Sequence, residues 1–194
     1  MNRLRVFPRA ARRLQYRYLA PPPFAEYSKI VEQHVQSAYG IRVVTRDVPE
    51  PLTGDLNGAE IHIDYAVTPE QRLFLFAHLF GHTVQWNVTP GAFELGGPRC
   101  PPVPEQDLPA LMEYERDAAR YALGLLHEAD IHDIDQWLSD YAACDEAYLQ
   151  HYYRTGERKE FISFWKDRLP RIEARPLPAF VPVKRPWRSD GIVI

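Results

Sequence analysis

The run Leu73-Phe74-Leu75-Phe76-Ala77-His78-Leu79-Phe80 is apolar at nearly every position, and no other stretch constrains the fold as much. A helix with one apolar stripe lies at a surface, whereas one apolar nearly all round has to be enclosed by other elements. Its start is well marked. Thr68-Pro69-Glu70-Gln71 offers a capping hydroxyl, a proline at the first helical position and a glutamine at the third, which together satisfy the free amides of a helix N-terminus. With 194 residues, 45% of them hydrophobic, the chain has enough apolar material to enclose such a helix within one domain.

This helix also carries chemistry. His78 and His82 are four apart, so on a helix they project from one face about a turn apart and can reach a single metal ion. Zinc peptidases of the HExxH kind use this spacing, with a glutamate after the first histidine as general base; here that position is Leu79. A third ligand is needed, and Glu115 is the best local candidate. It falls on a helix expected over about 108–126, in line with Ala118, Ala119 and Ala122, and small residues let two ligand-bearing helices approach closely. Glu113 and Asp117 point to other sides of that helix. The competing structural readings are two core histidines held by hydrogen bonds and a solvated carboxylate at Glu115.

From Tyr39 to Leu126 the chain resembles the ImmA/IrrE-type metallopeptidases. The resemblance rests on Tyr39-Gly40-Ile41, on Ile61-His62-Ile63, and on Phe74-Leu75-Phe76-Ala77-His78-Leu79-Phe80-Gly81-His82 against the family's "FxxAHExGH". Its last element is Glu115-Arg116-Asp117-Ala118-Ala119-Arg120-Tyr121-Ala122, which looks like the family's "ExxANxFA". It implies zinc held by His78, His82 and Glu115. It also implies a protein or peptide partner, the relatives often being encoded beside, or fused to, helix-turn-helix transcriptional regulators. Three positions depart from the pattern. Leu79 replaces the catalytic glutamate, Ala119 an Asn or Asp beside the third ligand, and Leu126-His127 the usual Met-Pro. Without a carboxylate on the metal-bound water, general acid–base help of ~10²–10⁴-fold is lost.

The expected architecture is α+β and zincin-like, a small, mostly antiparallel sheet packed on two metal-bearing helices. Residues 1–23 form a basic arm containing Arg3, Arg5, Arg9, Arg12, Arg13 and Arg17; 24–169 form the domain with its helical C-terminal extension; 170–194 form a proline-rich extended tail. Within the domain a helix is expected over about 25–38 with Tyr27, Ile30, Val31, Val35 and Ala38 on its stripe. Strands are expected at Ile41–Thr45 and Glu60–Tyr65, the second turning Ile61, Ile63 and Tyr65 inward and exposing His62. Residues 87–110 read as a loop without regular structure, and helices are expected at about 133–154 and 157–168. His127 and His132, five apart, diverge if helical, and Asp133, Asp135 and Asp140 read as a solvated acidic face.

A net charge of -3 gives no electrostatic case for direct nucleic-acid binding, and no apolar run approaches the ~20 residues of a membrane span. The two cysteines, Cys100 and Cys144, are too few for a disulfide framework and read as free thiols of a reducing cytoplasm. Two functions follow. One is a non-catalytic, metal-binding homologue that acts through protein interaction. The alternative is an active zinc endopeptidase with a non-standard general base, such as Glu94, Glu113 or Glu60.

Overall fold

The computed structural model describes residues 22–48, 52–97 and 99–186, so nearly all of the basic arm and the end of the tail lie outside the described residues. The element order is α1 (Phe24–Tyr39), β1 (Arg42–Arg46), β2 (Gly54–Leu56), β3 (Glu60–Asp64), α2 (Pro69–Val88), α3 (Ala92–Leu95), α4 (Leu108–Glu128) and α5 (Asp135–Thr155). The fold is α+β. No described helix is long and apolar enough to cross a membrane, and both cysteines are free thiols.

Helix α2 is the centre of the molecule, as its composition requires. The Thr68 hydroxyl accepts the Gln71 amide and the Gln71 side chain accepts the Thr68 amide, so the capping box forms as read from sequence. From Leu73 to Trp86 every residue is buried. Strands β2 and β3, helix α1 and helix α4 pack on α2, and α5 packs on α4 while reaching α2 through Trp137 and Tyr141. Helix α1 buries Val31 and Val35, as its stripe predicts, but Ile30 and Ala38 are left exposed. Gly40 ends it in the left-handed region, at φ 66°, where a side chain would be strained.

The sheet is mixed, in the order β1-β3-β2, which corrects the mostly antiparallel expectation. Because β2 and β3 form an antiparallel pair, the chain reverses direction twice after β1, and β3 returns parallel to it. The alternation fails at Tyr65, which is exposed. Strand β3 ends at Asp64, whose carboxylate accepts the amides of Val48 and Ala66 and turns the chain there.

Three further expectations are corrected. Residues 87–110 contain the end of α2, the short α3 and a 3-10 turn at Glu105–Asp107, because Gly91, at φ 79°, admits a new helical turn that Gly96 and Gly97 end. Residues 157–168 form only a 3-10 turn, Phe161–Phe164, whose Phe161 and Phe164 rings pack against Tyr141, Tyr148 and His151 of α5. Asp140 is buried rather than solvated. It accepts the backbone amides of Arg168 and Leu169 and the Gln136 side chain, tying the chain after α5 back to that helix.

Residues 170–186 have no helix or strand, as their prolines dictate, but they are fastened to the domain. The Arg175 amide donates to the Arg120 carbonyl, Phe180 stacks on Tyr39 at 5.4 Å, and the Val183 amide donates to Asn87. Gly58 and Gly124 admit this strap. A side chain on either would meet the backbone oxygen of Val183 or Arg175.

Candidate metal centre

The site is made where α2 and α4 cross. Gly81, between the two histidines, lies against the backbone of Ala118, and a Cβ there would stand 2.7 Å from the Ala118 carbonyl carbon. This close approach is what the alanine face of α4 allows, and it carries Glu115 inward, only 4% exposed. Glu113 and Asp117 face elsewhere. Glu113 pairs with Arg116 and Arg120, and Asp117 with Arg120 and Arg175. The solvated reading of Glu115 is thereby overturned.

His78 Nε2, His82 Nε2 and Glu115 Oε2 converge, with separations of 2.9 Å between the nitrogens and 3.1 Å from each nitrogen to the oxygen. These three atoms are the ones that would hold a metal ion, whose bonds to nitrogen and oxygen ligands run ~2.0–2.2 Å. The group is buried and can hold a metal ion; among the described residues no other set of histidines, cysteines and carboxylates converges this way.

The surroundings favour the ligating form of each group. Gln85 donates its amide to the Tyr114 carbonyl at 2.8 Å, which turns its oxygen toward His82 Nδ1, also at 2.8 Å. That network assigns the His82 proton to Nδ1 and leaves a lone pair on Nε2. The ring is held flat on Tyr114, and His78 is stacked on Phe74. Burial, reinforced by His82, pushes the His78 pKa down and keeps its imidazole neutral. Burial works against the Glu115 carboxylate, but its contacts with His82 and His78 outweigh it and hold the pKa down at about 2. A carboxylate and neutral imidazoles are the forms that bind metal.

Leu79 is fully buried and packs beneath edge strand β2, where a Cβ on Gly54 would lie 2.7 Å from its Cδ1. Ala119 is also buried and brings no polar atom to the site. Among the alternative bases, Glu113 is held by its arginines, Glu94 is exposed on α3, and Glu60 is engaged by Asn57, Arg42 and Lys184.

Two histidine readings are corrected. His62 is buried, facing Asp55 across the β2–β3 pair, with its Nδ1 3.6 Å from that carboxylate. His127 and His132 do not diverge. Helix α4 stops at Glu128 and Asp130 takes φ 58°, folding the two rings to 4.5 Å from each other. Each pairs instead with its own carboxylate, Asp135 for His127 and Asp130 for His132. Asp133 accepts the Tyr27 hydroxyl.

One residue near the site goes unnoticed in a sequence reading. Asp145 of α5 is buried, and its Oδ1 has no hydrogen-bond partner. Burial, then the Glu115 charge, push its pKa well up. The available clue was a carboxylate set among Trp137, Leu138, Tyr141, Cys144, Tyr148 and Leu149 on the apolar stripe of α5.

Comparison with protein-family models, with curated proteins and with solved structures found no match.

Proposed function

We propose that this chain is a zincin-like, metal-binding homologue of the ImmA/IrrE-type metallopeptidases that acts by binding a protein partner rather than by cutting one. The observation that carries this is the buried convergence of His78, His82 and Glu115 beside a position, Leu79, committed to packing under the sheet. Two imidazoles and one carboxylate suit zinc. Zinc supplies a Lewis acid and a lowered water pKa, but peptide hydrolysis also needs a group to take the water's proton and pass it to the leaving amine. Leu79 has no atom able to do so. In this role the metal clamps α2 to α4, and the binding energy becomes folding energy. The partner suggested by the resemblance is a transcriptional regulator, bound as a protein and not through its DNA.

The test is metal content of protein purified without chelator, followed by turnover of a peptide library and of a regulator encoded beside the gene, each with and without zinc. Stoichiometric zinc, regulator binding and no cleavage are expected. Zinc-dependent cleavage by the wild type would establish the alternative, an endopeptidase with a non-standard base. Failure to take up any divalent metal would sink both.

A further inference from the structure

We infer that the cavity between the end of α2 and the strap is a binding site for a small zwitterion of the α-amino-acid class. Its carboxylate is taken by Arg185, its ammonium by Glu94, and its side chain lies against an aromatic wall. The cavity measures about 310 Å³, and Trp86, Val88, Pro90, Phe93, Glu94 and Arg185 are among the residues that line it. This is the lower end of the ~300–1,000 Å³ of small-molecule pockets, a space that suits one amino acid rather than a peptide.

Two opposite charges line this space and do not pair with each other. Glu94 is exposed and has no hydrogen bond or ion pair among the described residues. Arg185 is positioned by the strap. Its amide donates to the Asn57 carbonyl at 2.7 Å, its Nη2 donates to the Trp86 carbonyl at 3.1 Å, and its guanidinium lies 5.4 Å from the centre of the Phe93 ring. Its Nε is buried and has no partner. A buried donor calls for an acceptor, and a carboxylate is the acceptor that the edge of a guanidinium matches best. Helix α2 ends at Val88 in the same wall, and the negative end of its dipole adds to Glu94 in favouring an ammonium. The rings of Trp86 and Phe93 meet edge to face at 4.9 Å and, with Val88 and Pro90, give an apolar side chain its surface. The site is separate from the metal centre. Trp86 Nε1 donates to the Tyr114 hydroxyl at 2.8 Å, and it is the Tyr114 ring that packs on His82, so the cavity can be assayed with metal removed.

The experiment titrates the full chain, in chelator, with L-phenylalanine and L-leucine and follows the indole N–H resonance of Trp86 by NMR. N-acetyl-phenylalanine and phenylalanine amide are the probes that each keep one charge. Both amino acids should give a saturable shift, and each blocked probe should bind ~10-fold more weakly or worse, having lost a charge-assisted hydrogen bond. Glu94→Gln should weaken L-phenylalanine ~10-fold and leave N-acetyl-phenylalanine unchanged. Arg185→Gln should do the same to L-phenylalanine and leave phenylalanine amide unchanged. Glu94, exposed and without partners, carries the test if Arg185→Gln loosens the strap. A Trp86 resonance that neither amino acid moves at ~10 mM would overturn the inference. So would blocked probes that bind as well as the free amino acid. Either result leaves the metal-centre reading where metal content puts it.

Discussion

Replacing Gly81 by alanine tests the crossing on which the site depends, without touching a ligand. In an exposed helix interior the change would stabilise by ~1 kcal/mol through helix propensity. Here the new methyl would stand 2.7 and 2.8 Å from the carbonyl carbon and Cα of Ala118, and closer still to its oxygen. Ordinary carbon contacts are ~3.5–4.0 Å, so α4 has to retreat by about 1 Å. The obstacle is helix backbone, which has no rotamer to change. An overpacking cost at the upper end of the ~1–3 kcal/mol range is therefore expected, and the propensity gain offsets ~1 kcal/mol of it. The net loss is ~2 kcal/mol, or a fall in Tm of ~4–8 °C for a chain of this size. Because Glu115 lies three residues before Ala118, the same retreat widens the 3.1 Å spacing between its Oε2 and the histidine nitrogens. Zinc affinity should fall on the order of tenfold, the scale of an outer-shell perturbation. Thermal melts in zinc and in chelator, with calorimetric titration of zinc, measure both effects. A Gly81→Ala protein as stable as wild type, with unchanged zinc affinity, would refute the close crossing of α2 and α4.

Three more outcomes are expected. Leu79→Glu places a carboxylate in a fully buried site under Gly54 and should cost more than ~3 kcal/mol in urea unfolding, from lost apolar burial and an unpaired buried charge; a well-folded variant that hydrolyses peptides would contradict both the packing and the proposed role. His78→Ala and His82→Ala should lower Tm much more in zinc than in chelator, since wild type gains ~2.7 kcal/mol at a zinc concentration of 100 Kd; equal losses in both would return the histidines to a purely structural role. In chelator, stability should fall as the pH drops below the ordinary histidine value of 6.5, because the His78 pKa is lower in the fold, by burial first and His82 second. Below 6.5 the unfolded chain then binds more protons at this residue than the folded one, so stability rises with pH there. Denaturant melts of wild type and His78→Gln between pH 7 and pH 5 check this, and an identical pH slope in the two proteins would count against a depressed His78 pKa.

The local sequence was informative wherever one helix turn or one cap decides the outcome. Thr68 and Gln71 cap α2 as their types require, Gly40 ends α1, and the four-residue spacing of His78 and His82 places both nitrogens at one point. The inward choice of Glu115 over Glu113 and Asp117 was also legible, because it follows from the 3.6-residue period and the alanines beside it. The burial of α2 was legible because apolar residues all round leave no face for water.

Other features depend on which distant segments meet, and a sequence window holds no such information. Whether β3 would pair parallel with β1 depended on the path between them. Whether His62 and Asp140 were wet depended on Asp55 arriving from β2 and on the amides of Arg168 and Leu169 arriving from beyond α5. Leu79 could be read as a missing base, but its role beneath Gly54 is set by the sheet. Asp145 is the clearest case. On its own helix it is an acid in an apolar stripe, and only the packing of α5 into the interior decides that its Oδ1 is buried without a partner. Propensity and periodicity act within a few residues, whereas desolvation and the pairing of buried polar atoms are properties of the whole packed interior. The candidate ligands were therefore readable from the chain, while the groups packed around them were decided by tertiary structure.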